Sequence, residues 1–194
     1  MTVPPSLHKL FAIVGPAGSG KTTLIDRMFV LHPGTLSVIR TVTNRAPRAE
    51  EIDENGRVDD KHYRFCSNDE FAGLLRDGRL VQGGKTVYNG HWYDNDREEM
   101  HERLKERFGI CALVEPTVVL FRSLGYDVTM IRVTPEGPLY KPRSPERAAE
   151  DAAREKAGPW ANHFMVNTFE TAGYVPSAKR LANILENYLY PAKK

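Results

Sequence analysis

Eight consecutive residues, Gly15-Pro-Ala-Gly-Ser-Gly-Lys21-Thr22, match the pattern G-x-x-x-x-G-K-[ST] in full. The chemistry this pattern serves is the holding of phosphate. Glycines let the backbone bend until several N–H groups point at the same oxygens, and a helix begun there adds its positive dipole end. A lysine at the seventh position bridges outer phosphates, and the hydroxyl after it can hold Mg²⁺. The flanks agree. Lys9-Leu-Phe-Ala-Ile-Val14 reads as a buried strand, and Thr22 to Leu31 reads as a helix with Leu24, Met28 and Leu31 on one face. The segment therefore predicts a nucleoside triphosphate site, with ATP as phosphoryl donor on Gly15, Ala17, Gly18, Ser19, Gly20, Lys21, Thr22 and Thr23. Thr22 is the expected Mg²⁺ ligand.

The rest of the chain must position an acceptor against that loop. Leu36 to Thr43, Ile110 to Val114, Asp127 to Thr134 and His163 to Val166 read as further strands. Helices are expected from Asp96 to Phe108 and after Ser177, with a short piece between Val114 and Gly125. Strands alternating with helices predict a parallel sheet covered on both faces, an α/β fold of the P-loop type. Asn44 to Asp94 breaks the alternation. It is polar, carries a capping box at Ser67-Asn-Asp-Glu70, and holds two short β-like pieces around an Asn89-Gly90 hairpin turn. We read it as an inserted α+β lobe. The expected organisation is a core of residues 1–43 and 96–194, a lobe of residues 44–95, and a small lid at about 136–158.

Composition narrows the class. Across 194 residues, 27 basic and 25 acidic side chains leave a formal charge of +2. A field this weak argues against nucleic acid or anionic membrane as partner. No signal peptide and no run of about 18 apolar residues is visible, so a cytoplasmic protein is expected. Cys66 and Cys111 form no metal pattern and read as reduced thiols, and His62, His91, His101 and His163 lack ligand spacing.

Around the loop, further segments fall into the order of a known family. Thr43-Asn-Arg45-Ala-Pro47-Arg48 resembles the T-T-R-x-P-R segment of guanylate kinases. Lys61-His-Tyr63-Arg-Phe65 is similar to their D-Y-x-F, Ser67-Asn-Asp-Glu70-Phe71 to their S-x-x-E-F, and Gly90-His-Trp-Tyr93 to their G-N-Y-Y-G. Val166-Asn167 resembles V-x-N in their last strand. The resemblance implies a nucleoside monophosphate kinase. Arg45, Arg48, Tyr63 and Tyr93 would clamp the acceptor phosphate, with Thr41 where the family has serine. Guanidinium forks and phenol hydroxyls suit that task. It also places a lid arginine at Arg143, with Arg147 and Arg154 as alternatives, and with Lys21 and Arg45 it makes Arg143 a candidate for stabilising transferred charge.

The departures fall where the family reads guanine. Its acidic reader aligns with Gln82, its serine with Asn95, and its strand-end acid with Glu115, at the end of a core strand. A carboxylate only accepts, whereas an amide donates and accepts, and so suits the mixed edge of adenine, thymine or uracil. GMP or dGMP is the acceptor the resemblance implies. A different (deoxy)nucleoside monophosphate, pyrimidine or modified, is the alternative set by Gln82, and a non-catalytic binding module of the same fold is another. A sugar or DNA substrate would also use a phosphate clamp, though the weak charge argues against duplex DNA.

Overall fold

The computed structural model describes residues 7–84, 86–136, 162–168 and 175–190. The expected lid beyond residue 136, with Arg143, Arg147 and Arg154, lies outside the described residues.

Two sheets organise what is described. The first is parallel and contains β1 (Leu10–Val14), β2 (Leu36–Val38), β7 (Phe108–Ala112), β8 (Val128–Glu136) and β9 (His163–Thr168), in the spatial order β2-β7-β1-β8-β9. β1 lies at its centre, paired in parallel with β7 and β8. Every residue of β1 is buried, and alternate side chains feed opposite faces as a pleated strand requires. Phe11 and Ile13 pack with Leu24, Ile25 and Met28 of α1 (Lys21–Leu31) and with Leu181 and Leu185 of α5 (Val175–Leu189). Leu10, Ala12 and Val14 pack with Met100 and Leu104 of α3 (Arg97–Glu106) and with Val118 and Phe121 of α4 (Glu115–Ser123). A continuous apolar run in β1 is thus what a doubly covered central strand needs. Burying a side chain such as Phe11 contributes about 2–3 kcal/mol.

The second sheet joins three strands of the inserted stretch to one that lies just before it, in the order β4-β3-β6-β5. Its strands are β3 (Thr41–Thr43), β4 (Tyr63–Phe65), β5 (Thr86–Tyr88) and β6 (His91–Asp94). Helix α2 (Asn68–Arg76) covers it with Phe71 and Leu74, which cluster with Val42 and Leu80. The capping box at Ser67 forms as expected: Glu70 N–H donates to Ser67 Oγ at 3.1 Å, and Ser67 N–H to the Glu70 carboxylate at 2.7 Å. The β5–β6 hairpin turns on Asn89 and Gly90, both at positive φ (49° and 74°), the conformation that an Asn-Gly pair adopts at low cost.

Several boundaries differ from the sequence reading. Leu36 to Thr43 is not one strand; it splits into β2 and β3, and the chain passes from one sheet to the other at Ile39-Arg40. An apolar run alone cannot show that its two ends pair with different partners. β7 ends at Ala112, two residues earlier than expected. Glu115 consequently stands in the first turn of α4, with Pro116 beside it, and not at a strand end. The last helix begins at Val175, so Ser177 is inside it, because a proline at position 176 suits a first turn.

Candidate functional site

The carboxyl ends of β1 and β7 open into a cleft of about 390 Å³ between the two sheets, within the size range of small-molecule sites. The loop after β1 forms one wall. Gly15 turns at φ +151°, and a Cβ there would sit 2.3 Å from the Val133 carbonyl oxygen of β8. Only glycine lets loop and sheet approach so closely. Gly20 caps α1 in a left-handed conformation, with no side chain capping the helix and no acidic residue in its first turn. The first N–H groups of α1 and its positive dipole end therefore stand without a competing carboxylate, which suits a polyphosphate. Lys21 folds back over the loop, its Nζ donating to the carbonyls of Gly15 (2.8 Å) and Pro16 (2.7 Å). Gly15, Ala17, Gly18, Gly20, Lys21, Thr22 and Thr23 all line the cleft. Ser19 lies fully buried beneath it.

The lobe forms the facing wall. Thr41, Tyr63 and Tyr93, from β3, β4 and β6, line it together with Arg48. Register explains the grouping: Thr41 pairs with Tyr63 across β3–β4, and Thr43 with Tyr93 across β3–β6. Arg48 is about one-third exposed and lies 4.0 Å from Glu50, so its guanidinium is not consumed by a close partner.

Arg45 is placed differently from the clamp residues. It is 6% exposed and makes a two-pronged ion pair with Glu51, both contacts at 2.6 Å. Its guanidinium stacks on Tyr63 and Phe65, 4.6 and 4.9 Å from the ring centroids. Glu51 also accepts the Arg48 N–H at 2.8 Å. Burial alone would raise the Glu51 carboxyl, but hydrogen bonds from Arg45 and the Arg48 backbone outweigh it and hold the pKa below the ordinary value. The Arg45–Glu51 pair thus shapes the turn that presents Arg48. Glu51 was legible only as an acid following Arg48; nothing in the spacing said which arginine it would hold.

The base-reading candidates cluster deeper in the cleft. Gln82 is nearly buried, and its Oε1 accepts from Thr86 Oγ1 (2.5 Å) and Thr117 Oγ1 (3.0 Å). Its Nε2 donates to Asn95 Oδ1 at 3.4 Å, and Asn95 in turn donates to the Arg40 carbonyl at 2.8 Å. Thr86 and Thr117 were not singled out in the sequence. Their positions give no local signal, since the two come together only through β5 of the lobe and α4 of the core. Val87 and Tyr88 of β5, Ala112 at the end of β7, and Leu113 and Val114 after it complete the apolar lining.

The nearby carboxylates turn away from the cleft. Asp94 is fully buried and accepts the N–H groups of Gln82, Gly84 and Asn95 at 2.7–2.8 Å. Burial pushes its pKa up, and the three donors pull against that. Glu115 pairs with Arg132 at 3.0 Å, both largely buried, and does not line the cleft. Asp96 caps α3 and binds Arg64 and Arg79. Trp92 stacks on Phe71 at 5.4 Å on the lobe, away from the cleft lining. A larger groove of about 580 Å³ lies along α3, but four of its five arginines are paired with its acids, in Arg40–Glu99, Arg64–Asp96, Arg79–Asp96 and Arg103–Glu99. Cys66 and Cys111 are free thiols, and burial raises the pKa of both. Among the described residues no group of three His, Cys, Asp or Glu side chains could hold a metal ion, and no helix is long and apolar enough to cross a membrane.

A parallel sheet whose central strand runs into a glycine-rich loop and an uncapped helix start defines an α/β fold of the P-loop type. The sequence model of the family described as "Guanylate kinase" matches residues 7–117, more than half the chain, and the chain belongs to that family. It is 33% identical over 107 residues to a guanylate kinase of Idiomarina loihiensis, covering 55% of this chain and 47% of that protein. It is 35% identical over 111 residues to one of Synechococcus sp., covering 57% and 52%. The chain thus spans about half the length of these curated relatives. The crystal structure of guanylate kinase from Anaplasma phagocytophilum superposes with a TM-score of 0.65 at 17% identity, covering 96% of this chain and 89% of that one, and it shares the fold.

Proposed function

We propose that this chain is an ATP-dependent nucleoside monophosphate kinase whose acceptor is GMP or dGMP, the acceptor that its relatives' name points to. One observation carries the reading: the phosphate loop and the tyrosine–arginine wall of the lobe line a single cleft. A donor and an acceptor phosphate held on opposite walls can meet in line, and phosphoryl transfer asks of the protein chiefly such positioning and charge stabilisation.

In this reading the loop N–H groups and Lys21 hold the β- and γ-phosphates of ATP. Lys21 exchanges the Gly15 and Pro16 carbonyls for phosphate oxygens. Arg48, Tyr63, Tyr93 and Thr41 hold the acceptor phosphate, with Arg45 and Glu51 fixing the Arg48 turn. An oxygen of that phosphate attacks the γ-phosphorus as the bond to the β–γ bridging oxygen breaks, giving ADP and a nucleoside diphosphate. The Thr22 hydroxyl, a hard oxygen donor at the loop, fits Mg²⁺, which when bound supplies positive charge to the phosphates. The remaining ligands would be phosphate oxygens and water, since no carboxylate lines the cleft among the described residues. Arg143 is the proposed lid cation, on the resemblance alone.

The test is ADP release with ATP and Mg²⁺ against each common ribo- and deoxynucleoside monophosphate, with Lys21→Ala as control. Turnover with GMP or dGMP that Lys21→Ala abolishes supports the proposal. ATP binding without turnover on any monophosphate refutes it and leaves the binding-module reading.

A further inference from the structure

The chain crosses between core and lobe twice, at Ile39-Arg40 and at Asn95-Asp96. Two crossings define an axis about which the lobe can tilt, and a tilt carries the acceptor wall toward or away from the phosphate loop. Something must hold that angle. Each crossing has one charged side chain, Arg40 at the first and Asp96 at the second. Arg40 joins the two sides. Its Nε donates to Glu99 of α3 at 2.7 Å, and its Nη1 to Asp60 of the lobe at 2.9 Å. Its carbonyl accepts from Asn95 Nδ2 at 2.8 Å, which ties one crossing to the other. Arg103, one turn further along α3, also donates to Glu99, at 3.0 Å. Asp96 reaches the opposite way. While capping α3 it accepts from Arg64 at 3.0 Å and from Arg79 at 2.5 Å, both in the lobe.

These groups line the groove along α3 and not the cleft. Alternation along the chain separates the two: Tyr63 lines the cleft and Arg64 the groove, and Thr41 lines the cleft and Arg40 the groove. The ion pairs thus lie behind the wall that Thr41 and Tyr63 present to the phosphate loop. The Arg40 and Glu99 side chains are only 22% and 18% exposed. Salt and water screen such a pair less than a surface pair, so it can hold a geometry.

We infer that Arg40 is a positioning residue: by bridging Asp60 and Glu99 it fixes the angle at which the acceptor wall faces the phosphate loop. It lines no part of the cleft, so it acts on transfer only through the position of the lobe. The inference rests on the kinase reading for what is being positioned, and not for the bridge itself. Asp96 serves the same end from the second crossing, but it also caps α3, so replacing it would mix a lost cap with a moved lobe. Arg40 is the cleaner position to test.

The experiment measures the lobe–core distance and the kinetics in the same variants of the full chain. Spin labels on Asp69→Cys of α2 and Val119→Cys of α4, both exposed positions, in a Cys66→Ser background report the distance distribution by pulsed electron resonance. Arg40→Ala should broaden or shift that distribution. With ATP and GMP it should lower kcat/KM for the acceptor roughly tenfold to a hundredfold, the scale of a misplacement of about 1 Å. ATP affinity by calorimetry should stay within about twofold, because the loop N–H groups belong to the core. Asp60→Asn removes the charge from the lobe end of the bridge at an exposed position, should give the same change in weaker form, and decides the matter where Arg40→Ala fails to fold. A distance distribution that neither variant alters would overturn the inference. So would native acceptor kinetics beside a lowered Tm, since the bridge would then only stabilise, or a loss of ATP affinity equal to the loss of acceptor use. A broadened distribution in a chain that turns over no monophosphate would uphold the bridge and sink the kinase reading.

Discussion

On its core side the cleft is made of backbone; on its lobe side it is made of side chains. The loop wall offers N–H groups whose directions follow from glycine torsions and from the start of α1. The lobe wall depends on which side chains partner which: Arg45 with Glu51, Gln82 with Thr86 and Thr117, Asp94 with three N–H groups. A backbone site tolerates little change but needs few specific neighbours. A side-chain site can be retuned one residue at a time, because each partner swap alters donors and acceptors without moving the sheet. That contrast fits a phosphate loop that matches its pattern in full, facing Gln82 and Asn95, which depart from the motifs of the resembled family, in the same cleft.

The sharpest way to break the comparison is Gly15→Ala. A Cβ 2.3 Å from the Val133 oxygen must displace either the loop or β8, and the alanine would stand at φ +151°. We expect a loss of ATP affinity on the order of 100-fold or more, from a few kcal/mol of strain in the cradle itself. Titration with ATP checks this, and native-like affinity would show that the loop is not backbone-determined. Lys21→Ala comes next. It should lower turnover by roughly 10²–10³-fold, the scale for one stabilising group, while far-UV circular dichroism stays unchanged.

Glu51→Gln probes the lobe wall. Removing the carboxylate strands the buried Arg45 guanidinium and should cost about 3 kcal/mol, visible as a fall in Tm of roughly 6–12 °C. The pH dependence has a definite sign. The Glu51 pKa is lower folded than unfolded, since burial, which raises it, is outweighed by its hydrogen bonds to Arg45 and Arg48. The pair's contribution is therefore complete above the unfolded value and is lost as pH falls through the folded one. The Tm gap between native chain and variant should be full at neutral pH and shrink below about pH 4. A gap independent of pH would show that the carboxylate's charge is not what holds Arg45. Asp26→Asn is the mildest. Asp26 on α1 holds Lys61 and His62 of the lobe, and burial, which would raise its carboxyl, yields to those partners and leaves its pKa lowered. The contact is nearly half exposed, so stability should change by less than about 1 kcal/mol. A larger fall in thermal melting would mean that this tie governs how lobe and core sit together.

What the sequence determined by itself was everything written in contiguous residues. The phosphate loop, the doubly buried β1, the Ser67 capping box and the Asn89-Gly90 turn are local patterns, since their causes lie within a few residues of one another. The family's motif order also came from the chain, and with it the grouping of Arg48, Tyr63 and Tyr93 against the loop. Tertiary structure decided the rest. It divided Leu36 to Thr43 between two sheets, moved Glu115 into a helix and onto Arg132, and turned Arg45 toward Glu51. It also brought Thr86 and Thr117 onto Gln82 from opposite sides of the cleft. Those outcomes depend on which distant groups compete for the same hydrogen bond once water is excluded, and no spacing along the chain records that competition.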